Sequence, residues 1–176
     1  MFFSPIAFLS NKKWFSGMIE KDLLNELFEC RNQGLYWRYK RNNINIGDRV
    51  GTITPSGYRS IVINGKRYYE HRIVFFIHHG FFPKEVDHID GNKLNNNISN
   101  LRQATRSQNV CNQKLTTRNK SGVKGVAWNK CSKKWLAQCQ VNKKRYTIGL
   151  FNDLELAKQK IQHFREKMHG EFARHI

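Results

Sequence analysis

The spacing of apolar residues divides the first half of the chain into short helices and strands. Residues 19–29 place apolar side chains at helical intervals and predict an amphipathic helix. Residues 69–79 form a dense apolar run ending at Gly80, which predicts a buried helix with a glycine stop. Segments rich in aromatic and β-branched residues predict three strands between them, at 35–39, 49–54 and 58–63. Asn64-Gly65 follows, and this dipeptide is typical of a tight hairpin turn.

The pattern changes at Val86 to a strand, a polar loop, a second strand and a helix. Four asparagines between residues 92 and 97 mark the loop. The second strand is predicted at 101–104, and Thr105 is a suitable N-cap for a helix over 106–113. Because both strands lead into this helix, we expect the helix to pack across the two of them.

Residues 121–176 predict a three-stranded antiparallel sheet followed by one helix. The strands are expected at 123–128, 134–141 and 145–151. Apolar residues at steps of three and four from Leu154 to Met168 predict the helix, with Asn152 as its cap. Strand alternation points Arg145, Thr147 and the two glutamines Gln138 and Gln140 away from the helix. The same alternation points seven residues towards it: Trp135, Ala137, Cys139, Val141, Tyr146, Ile148 and Leu150.

A polar stretch separates these two halves. Leu115 is the one apolar residue between Lys114 and Ser121, so a linker is expected over 114–120. The predicted organisation is a leader or loosely packed arm at 1–17, a first domain at 18–113 and a second domain at 121–176. The expected fold class is α+β.

Charge is distributed unevenly along the chain. The 176 residues carry 31 Lys and Arg against 13 Asp and Glu, a formal net charge of +18. Residues 91–152 contain thirteen of the basic residues and none of the acidic ones. Trp128, Trp135 and Tyr146 are interleaved with these cations, as a phosphate-tracking surface requires. Composition therefore predicts a nucleic-acid partner.

Other classes of protein are disfavoured. No run of 18 apolar residues is present, so no membrane span is expected. The apolar start of the chain lacks the charge order and cleavage site of a signal peptide. The four cysteines contain no C-x-x-C pair, which predicts free thiols in a reducing cytoplasm and no structural zinc. No obligatory protein partner is evident.

Four residues of the predicted strand-loop-strand-helix unit carry candidate chemistry: Asp87, His88, Asn100 and Asn109. The spacings from His88 to the two asparagines are 12 and 21 residues. Residues 86–112, with His71-Arg72 upstream, resemble the HNH or ββα-metal nuclease motif of phage and intron-encoded proteins. The resemblance implies a DNA endonuclease of the homing or free-standing type, acting on double-stranded DNA.

The resemblance also implies a role for each residue. His88 would be the general base, because a neutral imidazole can take a proton from water near neutral pH. Asp87 and the amide oxygen of Asn109 would hold one Mg²⁺ or Mn²⁺ ion. Asn100 would orient the ring of the base. His71 could touch the metal or a phosphate, and Arg72 is expected to contact DNA.

Residues 121–172 resemble the plant ethylene-response-factor DNA-binding domain, a three-stranded sheet on one helix. The resemblance rests on segments 121–126, 134–135, 145–151 and 169–172. It implies that the sheet enters the major groove, with base contacts from Lys124, Trp128, Gln138, Gln140, Arg145 and Thr147. Phosphate contacts are expected from Lys130, Lys133, Lys143 and Lys144. Ala127 and Asn129 stand where plant members often have arginine, so the bases read should differ.

Three other functions fit parts of the sequence. A non-catalytic DNA-binding protein with an inactive HNH shell would bind DNA without a metal requirement and form no product. A protein acting on structured RNA would prefer RNA over duplex DNA in competition. A ribosomal protein would explain the basic composition and leave Asp87, His88 and Asn109 without a purpose.

Overall fold

The structure is a computed structural model that describes residues 20–40 and 42–175, so the predicted leader at 1–17 lies outside the described residues. These residues form a mixed α+β arrangement with four α-helices: α1 (Lys21–Leu27), α2 (Glu70–His79), α3 (Arg106–Asn112) and α4 (Leu154–His169). Short 3-10 turns occur at Ile98–Asn100 and Gly170–Phe172. None of the helices within the described ranges is long and apolar enough to cross a membrane.

Ten short strands form four small antiparallel sheets in this part of the chain. The strands are β1 (Phe28–Arg31), β2 (Gly34–Trp37), β3 (Thr52–Ile53), β4 (Arg59–Ile63), β5 (Lys66–Tyr69), β6 (Glu85–His88), β7 (Leu101–Ala104), β8 (Val126–Asn129), β9 (Lys134–Val141) and β10 (Lys144–Phe151). β1 pairs with β2, and β6 pairs with β7. The other two sheets have the orders β3-β4-β5 and β8-β9-β10.

The elements of the first half follow the hydrophobic pattern with two differences. The helix predicted over 19–29 ends at Leu27, because Phe28–Arg31 forms a hairpin with β2 instead of continuing the helix. The strand predicted at 49–54 is reduced to Thr52–Ile53. The hairpin turn is confirmed, since Asn64 and Gly65 have φ angles of 52° and 71° between β4 and β5.

The main core lies between α1, α2 and the first strands. Leu24, Phe28, Leu35, Val50 and Ile73 are almost completely buried there. Burying each such side chain contributes roughly 1.5–3 kcal/mol through removal of apolar surface from water. This core fixes α2, whose first residues point polar side chains towards β6 and its loop.

A charged residue is enclosed in this core. Glu70, the first residue of α2, has no exposed surface. Its carboxylate accepts hydrogen bonds from the backbone N–H of Leu35 at 2.8 Å and from the Arg49 guanidinium at 2.9 Å. Gly34 has a φ of 140°, and a Cβ there would collide with the Glu70 and Arg49 side chains. The glycine is therefore required for the approach of these two groups.

The residue that follows Glu70 is also buried. The His71 ring packs 5.3 Å from Tyr58 and 5.7 Å from Tyr69, measured between centroids. Its Nδ1 atom is buried and has no hydrogen-bond partner within the described ranges. Burial lowers the pKa of His71 from 6.5 to about 3, because the charged imidazolium would lose its hydration.

The C-terminal sheet is packed on α4 over a second core, which includes Val126, Ala137 and Ile161. β8 begins at Val126 and not at residue 123, because Val126 closes a turn with the carbonyl of Val123. A β-bulge lies between Thr147 and Gly149. It adds one residue, so Leu150 pairs with Leu136 and is 46% exposed. The predicted inward position of Leu150 is wrong for this reason.

The last residues return from α4 to the first half of the chain. Phe172 is buried against Ala104 and Cys111 in a small third cluster. The carbonyl of Cys111, near the end of α3, accepts a hydrogen bond from the Lys124 ammonium at 2.8 Å. The two halves therefore share contacts at α3.

The start of α4 provides a test of the fold. The N-cap is Asp153, whose carboxylate accepts from the N–H of Leu156 at 2.7 Å, and not the predicted Asn152. We expect Asp153→Ala to lower the free energy of unfolding by about 1 kcal/mol. Asn152→Ala should change it by less than about 0.5 kcal/mol. Urea denaturation measures both, and equal losses would contradict the assignment of the cap.

His71 predicts a pH dependence of stability. Its pKa is lowered in the folded protein, so the unfolded chain takes up a proton below pH 6.5 and the folded chain does not. The stability from neutral His71 is complete above pH 6.5 and is lost as pH falls from there towards 3. When the pH falls from 7 to 5, the free energy of unfolding should decrease by about 2 kcal/mol more in the wild type than in His71→Phe. Urea denaturation at the two pH values measures both decreases. Parallel losses in the two proteins would refute this origin.

Candidate active site

The predicted catalytic residues lie on β6, β7 and α3. Asp87 and His88 end β6, and Asp87 stands opposite Arg102 on β7. α3 begins with the predicted cap, Thr105, which forms a capping box with Gln108. Residues of α3 pack against both strands. The backbone thus brings the Asp-His pair and the first turns of α3 to one place.

Asp87 is buried and held by two side chains. The Arg102 guanidinium meets Oδ2 at 2.9 and 3.0 Å, from Nη2 and Nε. The Asn112 amide donates to both carboxylate oxygens at 3.0 Å and to the backbone carbonyl of His88 at 2.7 Å. The position of Asp87 is therefore fixed from both sides, and Asp87 lines a cavity.

Asn109 lies on the same cavity wall as Asp87. Its amide nitrogen donates to the Glu85 carboxylate at 2.7 Å. Since the NH₂ group is committed to Glu85, the amide oxygen is the atom left to act as a ligand. Asp87 and Asn109 thus offer two hard oxygen donors, the type that Mg²⁺ and Mn²⁺ prefer.

No cluster of three or more His, Cys, Asp or Glu side chains suited to a metal occurs in the part of the chain that the structure describes. Mg²⁺ sites commonly use one or two protein carboxylates and complete their coordination with water and substrate phosphate. The donor set of Asp87 and Asn109 fits that kind of open site and does not fit a closed structural site.

His88 is buried, and its ring is held by a chain of polar residues. Nε2 lies 2.8 Å from the amide oxygen of Asn96. The Asn96 amide nitrogen donates in turn to Glu70 at 2.5 Å. Burial lowers the pKa of His88, which the contact with Asn96 and the nearby carboxylates of Asp87 and Asp90 partly oppose. The ring is consequently neutral at neutral pH, as a general base requires.

Asn100 does not contact the ring of His88. Its amide nitrogen donates to Asp90 at 2.9 Å and to the carbonyl of Asn95 at 2.8 Å, and its oxygen accepts from the N–H of Asp90. It closes the polar loop between β6 and β7. The ring contact that the sequence assigned to Asn100 is made by Asn96, because the loop folds back and carries Asn96 under α2.

Two aromatic residues complete the surroundings of His88. The His71 ring is 5.0 Å from the His88 ring in an edge arrangement, and the Tyr58 ring is 6.1 Å from it. His71 therefore packs against the His88 ring. No contact between His71 and Asp87 or Asn109 is present within the described ranges.

A cavity of about 320 Å³ opens over these residues. Asp87, His88 and Asn109 line it together with two cations, Lys93 and Lys114. The Lys93 ammonium lies 4.6 Å from the centroid of the Tyr58 ring and donates to the carbonyl of Ser56. Cations beside a base and hard oxygen donors suit a phosphate group.

Three of the residues predicted to contact DNA make contacts within the protein. The Arg72 guanidinium donates to the carbonyl of Pro83 at 2.8 Å, which ties α2 to the following loop. The Lys124 ammonium caps α3, and burial lowers its pKa to about 8. Trp128 pairs with Trp135 in the strand register and so shares the helix-facing side of the sheet, although it is 49% exposed.

The other predicted base contacts share the outer face of the sheet. Arg145 pairs with Gln140, and Thr147 pairs with Gln138. The Gln138 amide donates to the Thr147 hydroxyl at 3.1 Å. Four exposed lysines lie in the turns and strand ends around this face: Lys130, Lys133, Lys143 and Lys144.

Four residues that contact the site were not predicted from the sequence: Glu70, Asn96, Arg102 and Asn112. Asn112 follows Asn109 by three residues on one helix face, a spacing that could have revealed it. Arg102 lies two residues after Asn100 on a recognised strand. Asn96 is one of several loop asparagines, and no local signal separates it from its neighbours. Glu70 begins a helix, where an acidic residue is ordinary.

Comparisons with known proteins agree with this location of the site. The family model for HNH endonucleases matches residues 68–111. Protein 3.8 of Escherichia phage T7 is 37% identical over 89 residues, which cover 51% of this chain and 73% of that protein. An uncharacterized HNH endonuclease, L560, of Acanthamoeba polyphaga mimivirus is 38% identical over 120 residues, covering 67% of this chain and 62% of that protein. No solved structure matches.

The matched segment spans β5 to α3 and includes the Asp-His pair, the loop asparagines and Asn109. With the phage protein similar over most of its length, the chain belongs to the HNH endonuclease family.

Proposed function

We propose that the chain is a metal-dependent DNA endonuclease that hydrolyses phosphodiester bonds with His88 as general base. The observation that carries this proposal is the His88 ring, buried and oriented at the wall of a cavity that also holds Asp87 and Asn109. A base beside hard oxygen donors and cations is the arrangement that phosphodiester hydrolysis needs.

The hydrogen-bond network determines which ring nitrogen can act. A carboxylate accepts hydrogen bonds and does not donate them, so the NH₂ group of Asn96 must be the part of that amide that faces Glu70. Glu70 accepts from Arg49 and from the N–H of Leu35 in the same way. The amide oxygen of Asn96 then faces His88 and requires the proton on Nε2. Nδ1 keeps its lone pair and is the atom that takes the proton from water. Glu70 and Asn96 thereby maintain the tautomer that can accept it.

The remaining residues would bind and orient the phosphate. Asp87 and Asn109 would hold a Mg²⁺ or Mn²⁺ ion, which when bound supplies positive charge to the phosphate and to the departing oxygen. Asn112 and Arg102 keep Asp87 in place. Lys93 and Lys114 attract the DNA backbone at the mouth of the cavity.

The second half of the chain would provide affinity and register. We infer that the outer face of the β8-β9-β10 sheet lies in the major groove, as the resemblance to ethylene-response-factor domains implies, with Gln138, Gln140, Arg145 and Thr147 near the bases. The surrounding lysines would contact phosphates. A phage-type enzyme of this kind, homing or free-standing, would act in the host cytoplasm.

His88→Ala tests the catalytic assignment. Cleavage of supercoiled plasmid with Mg²⁺ or Mn²⁺ should fall by about 10²–10⁴-fold, because the variant lacks the imidazole that accepts the proton. DNA affinity with chelator should stay within about twofold, because a neutral imidazole adds little attraction for phosphate.

The matched control for this experiment is His163→Ala, which removes an exposed histidine of α4 and should cleave normally. Cleavage by His88→Ala at the wild-type rate would show that another residue is the base. Metal-independent binding without product in the wild type would favour a non-catalytic DNA-binding protein.

Arg145→Gln tests the sheet surface. It removes one exposed cation from the outer face, so the slope of log K against log salt should decrease by about one. Lys160→Gln removes one exposed cation from α4, on the opposite side of the sheet, and should leave the slope nearly unchanged. Titration of a labelled duplex at several salt concentrations measures both slopes. Equal changes would show that the outer face is not the DNA surface.

A further inference from the structure

The C-terminal segment, residues 170–174, contacts the nuclease site through Arg102. The backbone carbonyl of Glu171 accepts from Nη1 of Arg102 at 2.9 Å. The Phe172 ring lies under the guanidinium, 3.6 Å from its central carbon to the ring centroid. Arg174 donates to the carbonyl of Asp90 at 2.9 Å. This segment, more than 65 residues beyond β7, therefore holds one side of the site.

Arg102 affects Asp87 in two opposite ways: it holds the carboxylate in position, and its charge competes with a divalent cation for the same carboxylate. It keeps the carboxylate in place through Oδ2, at 2.9 and 3.0 Å. It also carries a positive charge next to the carboxylate that would bind a divalent cation. A guanidinium can form a fork on both oxygens of a carboxylate, and that arrangement would occupy Oδ1 as well.

The contacts with residues 171 and 172 hold the guanidinium in a position where its contacts with Asp87 are to Oδ2. With Nη1 donating to Glu171 and the guanidinium lying over the Phe172 ring, Nε donates to Oδ2 and Nη2 lies 2.9 Å from the same oxygen. Oδ1 receives only the Asn112 amide among the described residues. A guanidinium freed from the ring and the carbonyl could turn onto both oxygens.

We propose that residues 170–174 are a working part of the nuclease site: they restrain Arg102 on one oxygen of Asp87 and so leave the other oxygen for a divalent cation. Phe172 and Arg102 are positioning residues in this sense. The inference rests on the proposed function, because it takes Asp87 as a metal ligand. It assigns to the end of the chain a role in metal binding, separate from any contact with DNA.

The test measures Mn²⁺ binding to the full chain without DNA. The electron paramagnetic resonance signal of free Mn²⁺ reports how much of the ion is bound. Phe172→Leu keeps an apolar side chain and removes the ring, and it should weaken Mn²⁺ binding about tenfold. Phe164→Leu is the matched control, because Phe164 packs against Tyr146 in the second core and does not contact Arg102 within the described ranges. It should stay within about twofold of the wild type.

A double-mutant cycle separates restraint of Arg102 from a general loss of packing. In an Arg102→Met background no guanidinium is present to compete, so Phe172→Leu should change Mn²⁺ affinity by less than about twofold. An equal weakening in both backgrounds would show that Phe172 does not act through Arg102 and would overturn the inference.

Asp87→Ala distinguishes failure of the inference from failure of the proposed site. One outcome is that the wild type binds Mn²⁺, Asp87→Ala does not, and Phe172→Leu binds it with the same affinity as Phe164→Leu. In that case the inference is wrong and the metal site stands. If the wild type and Asp87→Ala bind Mn²⁺ equally, Asp87 is not a ligand, and both the metal site and the inference fail.

Discussion

The buried carboxylate of Glu70 is the interaction on which the rest of the structure depends. Enclosing a charge in an apolar core is costly unless it is paired and hydrogen-bonded. Arg49, the N–H of Leu35 and Asn96 supply those partners from three separate segments of the chain. Satisfying this one group therefore determines how β2, the segment before β3 and the β6-β7 loop are placed around α2. The same requirement presents the amide oxygen of Asn96 to His88.

Two separate groups of hydrogen bonds consequently hold the side chains of the site, one at His88 and one at Asp87. The His88 ring is oriented from the core side, through Glu70 and Asn96, while Asp87 is held from the opposite side by Arg102 and Asn112. The two supports meet at adjacent residues of one strand. Asn112 and Arg102 hold Asp87 through its carboxylate oxygens, and Asn96 holds the His88 ring through Nε2.

The sequence predicted the elements whose signals are local. Asn64-Gly65, the glycine stop after α2 and the Thr105 N-cap depend on neighbours in the chain, and the structure confirms them. The motif placed Asp87, His88 and Asn109 at one cavity. The ring contact of Asn96 could not be predicted, because it depends on Glu70, 26 residues away. The bulge that turns Leu150 outward likewise has no signature in strand alternation.

The cap at the end of α3 has a consequence for exchange of modules between such proteins. Lys124 and Arg165, both from the second half, donate to the carbonyl of Cys111, which precedes Asn112. A chain joined to a different second half at residues 114–120 would leave that carbonyl without these donors. A protein recombined at residues 114–120 would therefore need cationic side chains in its new second half that donate to this carbonyl. The part of the chain that has to be kept together in such an exchange is therefore larger than the HNH motif.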